Sequence, residues 1–227
     1  MINSTDSHPP YPEYSVSIWE GLAIAVGAVM IAAVGTAGLF VRFFSNAVDP
    51  QRATAIADSL MEYTIPGGAQ GVFGTNIGGA KVAIVSSPTF PRDFTNPPSD
   101  LNRVSGVELF VARVPLDIES PTRKAQADSE DETTLPSPDF TLSYRSGEDF
   151  KPLTSRTETK PFCDMNTLVL IQEGELTLTP ELSPVYAVKY DAIVALADGK
   201  RMATVLAIGQ DAKQQAATVF NSLRCQK

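Results

Sequence analysis

The sequence predicts an α+β fold: one N-terminal transmembrane helix, then a mainly antiparallel sheet of about seven strands flanked by two helices. Three observations predict it. Residues 21–41, GLAIAVGAVMIAAVGTAGLFV, run for 21 positions without a charge. At a rise of 1.5 Å per residue, a helix of that length reaches about 30 Å, the thickness of a bilayer's hydrocarbon core. Beyond it, short apolar runs recur between tight-turn signals. Two stretches of helical period, near residue 50 and after Asp211, bracket those runs.

The chain divides into a flexible polar tail at 1–17, a spanning helix at 18–44 and an extramembrane domain at 45–227. The tail carries Pro9, Pro10 and Pro12, and no Lys or Arg. A cleavable signal peptide has a basic start and a shorter apolar core, so cleavage is not expected. Tyr11, Tyr14 and Trp19 approach the span as an aromatic interfacial belt, and Phe40, Phe43 and Phe44 mark the far side. Arg42 and Arg52 are the only positive charges within 20 residues of either end of the span. The positive-inside rule therefore predicts an integral, single-pass protein with its C-terminal domain in the cytoplasm.

Small residues within the span fall on one stripe. Gly21, Ala25, Ala28, Ala32 and Gly35 recur at spacings of four, three, four and three. In lipid, such a stripe lets a second helix approach closely, so these five are the candidate helix-packing residues. The partner would be a second copy or a larger membrane complex. Ala and Gly make up 10 of the 21 residues, so composition alone also produces stripes.

Asp49-Pro50 predicts a helix start, with Ala53, Ile56, Ala57, Leu60 and Met61 forming its apolar face over 50–62. Residues 66–79 are rich in glycine. Gly74 and Gly79 have the first spacing of a phosphate-binding loop, but Ala80 stands where that loop needs lysine. Strands at 70–76 and 80–86, joined by an Asn76–Gly79 turn, are expected instead. Val107–Val114 reads as a strand. Residues 116–161, with five prolines and the acidic run DSEDE, read as a disordered or irregular insertion. Strands follow at 167–172, 175–179, 185–196 and 201–208, with Asp198-Gly199 as a tight turn. Asp211 and Gln214 suggest a capping box for a last helix, whose core face is Ala216, Val219, Phe220 and Leu223.

Composition removes several function classes. A formal charge of −8 argues against nucleic-acid binding through phosphate neutralisation. The single histidine, His8, lies in the tail, so the domain holds no histidine-based triad or metal ligand. Cys163 and Cys225 have no metal spacing; they are two separate thiols or one disulfide, which would need an oxidising compartment. Asp164 disfavours Cys163 as a nucleophile by opposing its thiolate. Glu173-Gly174-Glu175 reads as two solvated carboxylates at a hairpin turn. Asp128, Glu130, Asp131 and Glu132 lack the spacing of a calcium loop. Lys81 and Lys189 are expected on outward strand faces.

The order of elements, with YTIPGG after the first helix, LVLIQ mid-domain and GKRMATVLAIGQDA leading into the last helix, resembles uncharacterised single-pass membrane proteins of bacteria, cyanobacteria among them. Their extramembrane domain is similar in outline to the PsbP-like α/β sandwich. The resemblance covers residues 50–225 and implies a fold and a membrane location. It carries over no catalytic, cofactor-binding or metal-binding residue. The expected function is a non-catalytic, membrane-anchored interaction or assembly module, accessory to a membrane complex. The alternative is a membrane-tethered enzyme using Asp, Glu, Lys or Cys chemistry.

Overall fold

A computed structural model describes residues 17–91, 104–116, 149–178 and 183–226. The chain forms two compact units, divided between Phe44 and Ser45.

The first unit is dominated by helix α1, Ile18–Ala47, whose last turn lies past the boundary. Ser17 caps its start. The Ser17 amide donates to Glu20 Oε2 at 2.9 Å, one half of a capping box, so Glu20 serves the helix start. Thr36, the one hydroxyl among residues 21–41, donates back to the Ala32 carbonyl at 2.8 Å, so its donor is satisfied within the helix.

The second unit begins with α2, Pro50–Leu60, capped by Asp49, whose carboxylate accepts from the Gln51 and Arg52 amides. The helix stops two residues before the expected 62. Met61 and Glu62 instead form β1, Met61–Glu62. Strands β2, Gln70–Ile77, and β3, Ala80–Ser86, then make a hairpin. Its turn residues Gly78 and Gly79 have φ of 58° and 85°, the left-handed pair that a two-residue turn requires. The two glycines within β2, Gly71 and Gly74, serve packing. A Cβ on Gly71 would collide with the Pro50 carbonyl, and one on Gly74 would lie 2.6 Å from Ala53 Cα. Glycine is what lets α2 lie directly on β2.

β4, Gly106–Val114, follows, then β5, Asp149–Phe162. The last thirteen residues of the stretch expected to be an irregular insertion, 149–161, therefore lie in a regular strand; residues 117–148 lie outside the described residues. The misreading has a physical cause: β5 is an edge strand exposed along nearly its whole length, so it needs no apolar residues. β6, Met165–Thr177, is likewise one strand where two were expected. Gly174 is no turn. It stands where the β5 bulge between Pro152 and Thr154 presses the Lys151 carbonyl into the space a Cβ would fill. β7, Val185–Leu196, and β8, Gly199–Ile208, complete a meander.

These strands form a seven-stranded antiparallel sheet in the order β2-β3-β4-β8-β7-β6-β5. Helix α3, Ala212–Ser222, follows, and β9, Arg224–Cys225, pairs with β1. Asp211 precedes α3 with ψ of 11° and makes no side-chain cap bond, so the expected capping box is absent. Cap geometry needs an extended residue there.

Both domain helices pack on one face of the sheet. Ala57 and Leu60 of α2 join Ala216, Val219 and Phe220 of α3 over Val85, Leu109, Val111, Val205, Val188, Tyr190 and Ile171 in one buried cluster. A smaller cluster, built on Phe90, Val104, Leu176, Val185 and Ile208, covers part of the opposite face.

Candidate functional site

The two cysteines meet. Cys163 and Cys225 form a disulfide with Cα atoms 4.8 Å apart and 62 residues between them in sequence. Cys163 and Asp164 are the turn of the β5–β6 hairpin, with φ of 54° and 61°. That turn prefers Asn-Gly, since a side chain in the left-handed region is strained. A buried cysteine holds the first position instead. The bridge ties the hairpin tip to β9, hence to β1 and the end of α2. Phe162 beside it stacks on Phe220 of α3, ring centres 6.1 Å apart. The Tyr63 hydroxyl next to this corner is pushed above its usual range, first by burial and then by its hydrogen bond to Asp58.

Glu173, expected in a turn, is the hub of a charge network on the helix-bearing face. It accepts from Arg156 Nη1 at 2.6 Å, Lys213 Nζ at 3.0 Å and the Tyr186 hydroxyl at 3.0 Å. Hydrogen bonds from Arg156, then Lys213, hold its carboxyl down at about 2. Arg156 also donates to Glu158 at 2.8 Å, and Lys160 pairs with the same carboxylate at 2.9 Å. Glu158 is lowered by Arg156 first and Lys160 second. Glu175, on the same strand, is exposed and outside the network.

Lys189 does not stand free on an outward face. It pairs with Asp191 at 3.0 Å, and Asp191 is only 6% exposed and also accepts from the Thr204 hydroxyl at 2.6 Å. Lys81 donates to the Ser59 hydroxyl at 3.5 Å on the helix-bearing face. It stands beside Arg113, which stands beside Arg201, on three neighbouring strands. Arg201, 4% exposed, reaches Asp198 at 2.7 Å, and Arg113 reaches the same oxygen at 3.7 Å. Arg201 first, then Arg113, holds the Asp198 carboxyl below its usual range. Lys81, at one end of this basic row, reaches the last turn of α2 through Ser59, where a cation meets the negative end of the helix dipole.

Sequence reading missed Glu173 and Arg201 as paired groups. The signal was strand phase: RMATVLAI puts Arg201 in phase with Ala203, Val205 and Ala207, and LVLIQEG puts Glu173 in phase with Val169 and Ile171. A charge in the buried phase needs a partner.

In the first unit, the candidate packing residues Gly21, Ala25, Ala28, Ala32 and Gly35 lie on α1 as one unbroken helix. A Cβ on Gly21 or Gly35 would meet nothing within 4 Å. The most apolar 18-residue window has mean hydropathy 2.3 and no buried residue, so the helix is long and apolar enough to cross a membrane. Among the described residues, no three of His, Cys, Asp and Glu gather as a metal site. The acidic residues 128–132 lie outside the described residues. In comparisons with known proteins, no family model, curated protein or solved structure matches this chain.

Proposed function

We propose that this chain is a non-catalytic, membrane-anchored interaction or assembly module, accessory to a membrane complex. The observation that carries the reading is α1: Ile31, Val34 and Leu39 are each more than two-thirds exposed, and the most apolar window of the helix is wholly unburied. So much apolar surface requires lipid or a partner helix. The domain's charged groups support the same reading. Glu173, held at about 2, stays ionised at neutral pH, whereas a general acid or base needs a pKa near the working pH. Both cysteines are joined, which leaves no thiol nucleophile.

For the side of the membrane, two signals point in opposite directions. Arg42 and Arg52 favour a cytoplasmic domain, and the disulfide favours an oxidising compartment. The charge bias rests on two residues, while a disulfide across 62 residues is a large term in the fold, so we place the domain on the oxidising side. Thiol labelling in intact vesicles tests this: protection that only reductant lifts agrees with it, and labelling from the cytoplasmic side without reductant refutes it.

The test of the association itself is Ala28→Leu with Ala32→Leu. Larger side chains on the stripe should abolish co-purification of the partner from mild detergent. Unchanged co-purification would defeat the idea that this face makes the contact.

A further inference from the structure

The sheet ends on β5, and no described strand pairs with its outer edge. Edge strands invite pairing with another chain, and proteins ordinarily blunt them with prolines, charges or short length. β5 is 14 residues long, and its prolines, Pro152 and Pro161, stand near its two ends. Leu153–Lys160 between them is free of proline.

Backbone parity fixes which groups face outward. Phe162 and Met165 close the two-residue turn and form a hydrogen-bonded pair. Counting back by twos, Phe162, Lys160, Glu158 and Arg156 bond to β6. Thr159, Thr157 and Ser155 turn their amides and carbonyls away from the sheet.

We propose that this edge pairs with β5 of a second copy of the chain, antiparallel, about a two-fold axis at Thr157. The side chains are self-complementary in that register and in few others. Arg156 falls opposite Glu158 of the second copy, and Glu158 opposite its Arg156, so the same opposite-charge pair forms twice across the axis. Ser155 falls opposite Thr159. The three outward-facing residues supply six backbone hydrogen bonds: two between the Thr157 residues and two at each Ser155–Thr159 pair. A register centred on Thr159 would also match charges, Glu158 with Lys160. It would place Pro161, which has no amide, opposite Thr157 and lose two of the six bonds. The interface is isologous and closes on itself as a dimer.

This inference rests on the reading of the chain as an association module and names a partner for its domain. The test uses the full chain in mild detergent or vesicles. Thr157→Cys should be trapped as a covalent dimer by mild oxidation. Lys151→Cys, on the same strand but far from the axis, should not. Thr157→Pro removes an outward amide and leaves the β5–β6 ladder intact; it should weaken the dimer about thirtyfold by loss of two hydrogen bonds. Thr157→Lys sets two like charges face to face on an exposed position and should weaken it without disturbing the fold. Equal trapping at 157 and 151, or a dimer indifferent to both Thr157 substitutions, would overturn the proposal. The two contacts separate cleanly: Ala28→Leu with Ala32→Leu addresses the helix alone. Association lost there and retained in Thr157→Pro would sink the β5 pairing while leaving the helix contact standing.

Discussion

Removal of the disulfide should cost the domain about 4 kcal/mol. The bridge closes a loop of 62 residues, and the chain-entropy relation gives about 14 cal/mol/K for that length, or about 4 kcal/mol at 25 °C. The perturbation is best made as Cys225→Ala paired with one of two changes at Cys163. With Cys163→Ala, a side chain remains at φ of 54°. With Cys163→Gly, the left-handed turn loses its strain, which restores about 1 kcal/mol. The assay is urea unfolding of the full chain in detergent, followed by the single tryptophan-independent far-UV signal of the sheet. At a slope of about 2 kcal/mol per molar, the alanine pair should unfold about 2 M earlier than the intact protein, and the glycine pair about 0.5 M later than the alanine pair. Reduction of the intact protein should give a similar loss. If reductant and both pairs leave the midpoint unmoved, the hairpin tip is not tied to β9 and the reasoning fails at its first step.

Three further outcomes follow from the packing and charge described above. Glu173 titrates at about 2 in the fold against 4.5 for a free side chain, so its contribution is complete above pH 4.5 and is lost as pH falls toward 2. Because the network is at the surface, that contribution is about 1 kcal/mol, and Glu173→Gln should flatten the acid limb of a stability-against-pH curve by that amount. Gly74→Ala should cost about 2 kcal/mol, read as a lowered thermal midpoint, because Ala53 of α2 occupies the space the methyl needs. Lys189→Met should cost about 3 kcal/mol by stranding the Asp191 carboxylate. Adding Asp191→Asn should recover most of it, since the amide oxygen still accepts from Thr204; no recovery in the unfolding midpoint would show that the cost lies elsewhere.

What could be read in the sequence was whatever repeats along the chain. The apolar span, the β7–β8 alternation and the faces of α2 and α3 each rest on a period, and burial enforces a period at every turn or pleat. What could not be read was whatever depends on a neighbour distant in sequence. β5 looks like a loop because its exposed positions need no apolar residues, and only its pairing with β6 makes it a strand. Gly174 looks like a turn because the β5 bulge that demands a glycine lies more than twenty residues earlier. The charge pairs were half visible: Arg201 and Glu173 stand in the buried phase of their strands, and Asp198 lies three residues before Arg201, but Arg156 could be matched to Glu173 only once β5 pairs with β6.

Cys163 combines both kinds of information. In sequence it was one of two thiols without a metal spacing. In the fold it occupies the left-handed first position of a two-residue turn, where asparagine or glycine would cost less. A free thiol gains nothing there to offset that strain. A bridge to Cys225 gains a covalent tie across the corner where the hairpin, β1 and β9 meet. The strained backbone and the sulfur pairing therefore explain each other. Together they make Cys163 a residue whose place in the turn is accounted for by its bridge and by nothing in its local sequence.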